Sequence, residues 1–125
     1  NPSALSAMDW LRANGHRGAK VVATGAPRST NYGWWIEGYA HLPTYMVGNP
    51  DLFWNAEERA QVAFARRLLA QETPAQEVKA LAEGEGIRFL FLDKRVHPGA
   101  TQQLVEAGFI TRLENHNIIV MERPP

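Results

Sequence analysis

The sequence predicts a single α/β domain. A mostly parallel sheet lies between two layers of helices, giving three layers, and a C-terminal antiparallel hairpin finishes the sheet at its edge. Three observations predict this. Segments with helical apolar spacing alternate with short apolar segments of strand length, the order produced by crossover connections. The run Ile87-Arg88-Phe89-Leu90-Phe91-Leu92 is almost continuously apolar, as a strand covered on both faces requires. Near the C-terminus, Phe109–Leu113 and Ile118–Met121 flank Glu114-Asn115-His116-Asn117, a tight turn sequence.

The elements follow in order. Ser3 is an N-cap for a first helix whose Leu5, Met8 and Leu11 recur at helical spacing, and Gly15 stops it. Lys20–Thr24 reads as a short buried strand ending at Gly25. Gly25-Ala26-Pro27-Arg28-Ser29-Thr30-Asn31 is a loop, and Thr30 or Asn31 is placed to cap a short helix through Tyr32, Trp34, Trp35 and Ile36. Pro43–Val47 is the second strand, closed by Gly48-Asn49-Pro50. Asn55 then caps a helix with Glu58 at the reciprocal capping position. Glu57 and Glu58 suit its N-terminal dipole, Arg66 and Arg67 lie toward its end, and Ala60, Phe64 and Leu68 form the expected buried stripe. Thr73-Pro74 opens another helix with Glu77 completing the box and Val78, Leu81 and Ala82 facing inward, up to Gly84-Glu85-Gly86. After the central strand, Pro98 opens a helix with Leu104 and Val105 inward and Gly108 as its stop. Residues 1–122 form the domain, and 123–125, Arg-Pro-Pro, are a loose tail.

At 125 residues the chain is long enough to bury a core, and its 45% hydrophobic and 21% charged content is that of an ordinary folded domain. Thirteen basic and thirteen acidic residues cancel, so nothing draws the chain to a phosphate backbone, and nucleic acid is not an expected partner. The absence of cysteine excludes disulfides and thiolate chemistry. No apolar run approaches bilayer length, and Asn1-Pro2-Ser3 lacks signal-peptide order; with no catalytic constellation of its own, the chain reads as a piece of a larger protein.

Ligands of open α/β sheets bind at the carboxyl ends of the strands. That edge gathers the loop after the first strand and the loop after the central one, so Arg28, Asn31, Asp93, Lys94, Arg95 and His97 are the candidate ligand-facing residues. An arginine fork and a carboxylate suit an anionic or polyhydroxylated ligand. The same residues also read as an ordinary solvated edge, with Asp93 pairing locally. Gly25–Ser29 matches neither a phosphate loop nor a dinucleotide fingerprint, and no cofactor is expected. Tyr32, Trp34, Trp35, Tyr39, Tyr45, Phe53 and Trp54 form a dense aromatic set. Adjacent Trp34 and Trp35 cannot both reach one core from one helix, so one of the pair is expected to be partly exposed or covered by another surface, and both are candidate ligand-binding residues suited to the apolar face of a sugar or to a partner surface. His16, His41, His97 and His116 have no ligand spacing, and no metal site is expected. None of Ser3, Ser6 and Ser29 stands in a nucleophile elbow, and Glu37 one turn from His41 reads as a salt-bridged face. No catalytic residue is assigned.

The segments Asp9-Trp10-Leu11-Arg12, Ala19-Lys20-Val21-Val22-Ala23, Tyr45-Met46-Val47-Gly48 and Gly86-Ile87-Arg88-Phe89-Leu90-Phe91-Leu92-Asp93 carry a resemblance that spans nearly the whole chain. Together with the hairpin from Phe109 to Glu122, they resemble the C-terminal domain that follows the membrane spans in bacterial and archaeal polytopic proteins of the GT-C glycosyltransferase type. The bulky Trp34-Trp35 pair departs from the usual pattern. The resemblance implies a non-catalytic accessory domain on the extracytoplasmic face of the cell membrane. Such a domain would cover the active site or help hold the acceptor of an enzyme that transfers sugar from a lipid-phosphate donor. In that family the catalytic acid and metal-binding carboxylates lie between the spans, so none maps onto this chain. The implied partners are the transmembrane region of the same polypeptide and carbohydrate or lipid-linked sugar. Two other readings stand beside it: a freestanding module binding a small polar molecule at the Arg28/Asp93 edge, and a protein-interaction domain using Trp34 and Trp35.

Overall fold

The computed structural model describes residues 2–24, 32–47, 55–97 and 101–125. The elements are α1 (Pro2–Asn14), β1 (Lys20–Ala23), α2 (Tyr32–Ala40), β2 (Thr44–Met46), α3 (Ala56–Leu69), α4 (Ala75–Glu85), β3 (Ile87–Asp93), α5 (Gln102–Glu106), β4 (Ile110–Glu114) and β5 (Ile118–Glu122). The fold is α/β, as the alternation predicts. An open five-stranded sheet runs in the order β2-β1-β3-β5-β4, with β1, β2 and β3 parallel and the β4–β5 hairpin joined antiparallel to β3.

The strand β3 is central because both its faces are apolar. Phe89 and Phe91 pack with Val21, Ala23, Ile118 and Val120 beneath α1 and α2. Leu90 and Leu92 pack with Val22 and Met121 beneath α3, α4 and α5. Simple alternation would put Ile87 with the two phenylalanines. The register slips instead between Lys20↔Ile87 and Val21↔Phe89, so Arg88 is an extra residue and Ile87 turns to the α4 side. A second slip, between Thr111↔Met121 and Leu113↔Val120, leaves Arg112 beside Glu122. Arg88 and Arg112 then both hold Glu122, at 2.7 and 2.9 Å, and clasp three strands at one end of the sheet.

Asn55 accepts from Glu58 N at 2.7 Å as the capping pattern requires. The buried side of α3 differs from the expected stripe. Val62, Ala65, Leu68 and Leu69 are buried, Phe64 is partly buried and Ala60 is exposed. Both stripes have helical spacing. Turning the helix toward Val62 and Leu69 buries more apolar volume than Ala60 offers, and Phe64 still reaches the Tyr45 ring edge-on at 5.7 Å. The N-cap of α4 is Pro74 rather than Thr73. The Thr73 hydroxyl donates to Arg67 O at 2.6 Å and ties down the end of α3, while Glu77 pairs with Arg67 instead of closing a capping box. Gly86 closes α4 at φ 69°, a left-handed position that glycine occupies without strain. Leu5 and Val105, expected inward, are exposed, because the buried sides of their helices run through Ala4, Ala7, Met8 and Leu11 and through Leu104. The helix start expected at Pro98 lies outside the described residues. The hairpin turn is held by Asn115, whose Oδ1 accepts from Ile118 N at 2.9 Å and whose Nδ2 donates to Ser3 O at 2.9 Å. Beyond β5, Arg123 N donates to Arg88 O at 2.8 Å.

Candidate functional site

The strand order decides where a ligand would approach. The β1–α2–β2 connection covers one face of the sheet, and the route from β2 through α3 and α4 to β3 covers the other. The first connection steps from β1 to β2 at the edge and the second returns from β2 past β1 to β3, so the sheet has its switch point between the carboxyl ends of β1 and β3, where doubly wound sheets open a crevice.

In this crevice Thr24, the residue after β1, faces Asp93, the last residue of β3. Thr24 N donates to Phe91 O at 3.0 Å, and Thr24 Oγ1 accepts from Asp93 N at 2.8 Å. The Asp93 side chain is fully buried on the α1/α2 side and fully satisfied. One oxygen accepts from Tyr32 Oη and from Arg95 Nη2, both at 2.7 Å. The other accepts from Arg95 N at 2.9 Å and Arg95 Nε at 3.0 Å. Arg95 Nη2 also reaches Tyr32 Oη at 3.2 Å. Tyr32 is the first residue of α2, and its ring lies on Phe91 with centroids 5.1 Å apart. A buried carboxylate without partners would cost several kcal/mol. This one instead joins the start of α2, the end of β3 and the following turn, whose Val96 and His97 amides donate to Asp93 O.

The protonation equilibria follow from this geometry. Burial alone would raise the Asp93 pKa, but the hydrogen bonds from Arg95 and Tyr32 and the adjacent positive charge outweigh it, and the carboxyl is held below its ordinary range. Burial, together with donation to an ionised acceptor, pushes the Tyr32 phenol up to about 12. Burial lowers the His97 imidazole below its ordinary value.

Trp34 and Trp35 lie on the outer side of α2. Tyr32, Gly33, Ile36 and Ala40 are its buried residues, so the two indoles point away from the core and are 69% and 63% exposed. Both members of the pair are exposed, beyond the one that helical geometry demanded. With Gly38 and Tyr39 they line a shallow depression of about 380 Å³. A Cβ on Gly38 would meet nothing within 4 Å, so the floor between the rings is open. Tyr39 is fixed by its hydroxyl, which donates to Asp9 on α1, and by the Arg12 guanidinium 4.9 Å above its ring.

The candidate edge therefore divides. Asp93 and Arg95 come together as expected, and Tyr32 joins them. Lys94 turns to the hairpin and pairs with Glu114 at 2.8 Å. His97 faces the other side of the sheet, where it lines a pocket with Thr24, Val47, Arg66, Leu69, Ala70 and Val96. Arg28 and Asn31 lie outside the described residues. Glu37 does not meet His41; its Oε1 accepts from Thr44 N at 3.1 Å. Among the described residues no three His, Asp or Glu side chains cluster as metal ligands. Sequence reasoning missed Tyr32 as the partner of Asp93. Tyrosine opening the helix after β1 and aspartate closing β3 meet only once β1 and β3 are known to be neighbours.

No protein-family model matches the chain, and no curated protein matches it in sequence. Among solved structures it is similar to the C-terminal globular domain of an oligosaccharyltransferase from Archaeoglobus fulgidus. The TM-score is 0.60 and the identity 12%, over 96% of this chain and 95% of that one. The likeness is one of fold. Among the described residues no helix is long and apolar enough to cross a membrane.

Proposed function

We propose that this chain is a non-catalytic accessory domain of a membrane-embedded glycosyltransferase that uses a lipid-linked sugar. In this reading it stands on the extracytoplasmic face against the transmembrane region of its own polypeptide, and the outer side of α2 faces the acceptor or covers the active site. The observation that carries the reading is the adjacent pair Trp34 and Trp35, exposed on a helix whose position is locked from beneath by Asp93. Exposing two indoles side by side leaves a large apolar area in water, which is characteristic of a surface with an occupant. Flat aromatic faces beside an open floor at Gly38 suit the apolar face of a sugar or a segment of acceptor chain. Similarity in fold to an oligosaccharyltransferase domain over nearly the full length of both chains supports this context. The domain offers positioning and coverage, and the bond-breaking groups belong to the remainder of the enzyme.

The test is sugar transfer from a lipid-linked donor by the parent protein in membrane vesicles. Replacing Trp34 and Trp35 together by alanine is expected to lower transfer by about tenfold or more. The unfolding midpoint of the 125-residue chain should hardly move, because truncation of exposed side chains away from the core changes stability by about 0.5 kcal/mol or less. Undiminished transfer by the double variant contradicts the proposal.

A further inference from the structure

The crevice between β1 and β3 has a second side that the accessory-domain reading does not use. On the α3 face of the sheet, the residues following the three parallel strands and the end of α3 border an open pocket of about 310 Å³. Val47, Leu69, Ala70 and Val96 supply its apolar lining. Thr24, Arg66 and His97 supply three polar groups from three separate elements.

Thr24 and Arg66 retain bonding capacity toward the pocket. Thr24 Oγ1 accepts from Asp93 N, which leaves its hydroxyl proton available to donate. Arg66 is exposed in the last turn of α3, and no carboxylate among the described residues pairs with it, whereas its neighbour Arg67 is engaged by Glu77. His97 Nε2 is buried without a hydrogen-bond partner among the described residues, an unusual state for a ring nitrogen. A guanidinium fork and a hydroxyl bordering a pocket with a largely apolar lining select a compact anion attached to an apolar body. The size is at the lower end of small-molecule pockets, enough for one ring bearing a phosphate or carboxylate. The position, at the carboxyl ends of parallel strands beside the switch point, is where sheets of this topology place ligands.

We propose that the pocket bounded by Thr24, Arg66, Leu69, Val96 and His97 is a binding site for a small apolar molecule carrying a single phosphate or carboxylate. Arg66 holds the anion, and Val47, Leu69 and Val96 hold the body. The site lies across the sheet from Trp34 and Trp35 and is independent of the glycosyltransferase reading.

Phenyl phosphate is the probe, titrated into the ¹⁵N-labelled 125-residue chain, with inorganic phosphate and phenol as the two half-ligands. The expected result is a saturable set of shift changes at Thr24, Val47, Val96 and His97 with phenyl phosphate, tighter than with either half. Arg66→Gln should weaken that binding by about tenfold, the loss of one charge-assisted contact. Arg17→Gln, on an exposed loop before β1, should not weaken it. Arg66 is exposed, so its variant keeps the dispersed spectrum of the folded chain, which the same experiment reads. Absence of saturable shifts at these residues overturns the proposal. So does an Arg66→Gln chain that binds as tightly as the parent, or inorganic phosphate binding as tightly as phenyl phosphate. None of these outcomes bears on Trp34 and Trp35, whose test reads sugar transfer.

Discussion

Among the described candidate site residues, Asp93 joins the most separate parts of the chain. Its carboxylate satisfies Tyr32 and Arg95, and its backbone engages Thr24, Val96 and His97. Asp93→Asn keeps the shape but removes the charge that Arg95 and Tyr32 were placed to meet. It is expected to lower stability by about 2–3 kcal/mol, read from the urea midpoint. Tyr32→Phe should cost about 1 kcal/mol by the same measurement, since Arg95 still holds the carboxylate. The pH dependence follows from the directions of the shifts. Asp93 has a depressed pKa in the fold, so its contribution is present above about pH 4 and is lost as pH falls through the folded value. His97 is also depressed, so the unfolded chain takes up its proton first and stability begins to decline on acidification below about pH 6.5. His97→Gln should remove that first decline. Tyr32 is raised to about 12, so its contribution is full below about pH 10 and is lost as pH climbs toward 12. Tyr32→Phe should remove this alkaline loss. Urea midpoints measured across pH check all three.

At the scale of elements, the central strand was legible because Ile87–Leu92 carries its burial on both faces in its own composition. The caps at Asn55 and Gly86 were legible because they use local chemistry. The rotation of α3 was not, since two overlapping stripes that share Leu68 both have helical spacing and only the sheet beneath chooses between them. The glycines at the end of α4 provide a contrast in one short segment. Gly86 sits at φ 69°, so Gly86→Ala should destabilise by about 1 kcal/mol. Gly84 lies within α4 with open space where a Cβ would stand, so Gly84→Ala should stabilise by about 0.5–1 kcal/mol. Thermal or urea unfolding of the two variants should move in opposite directions. In the core of β3, Leu90→Ala leaves a cavity in the fully buried cluster beneath α3 and α4 and should cost about 2–5 kcal/mol.

At the scale of the whole molecule, fold class followed from the alternation of patterns, while the candidate site followed only in part. Asp93 and Arg95 are two residues apart, and their convergence was visible in the chain. Tyr32 and Asp93 are 61 residues apart, and their meeting depends on β3 inserting beside β1, which no local pattern encodes. Past the end of β3 the Asp93 carboxylate faces α2 and the His97 ring faces α3, so the expected edge cluster divides between the two faces of the sheet.

The buried carboxylate holds α2, and with it the tryptophan pair, to the carboxyl end of the sheet. A double-mutant cycle between Tyr32→Phe and Asp93→Asn, read as urea unfolding free energies at neutral pH, measures that link. The two positions should couple by about 0.5–1 kcal/mol. Strictly additive effects, with no coupling, would contradict that link.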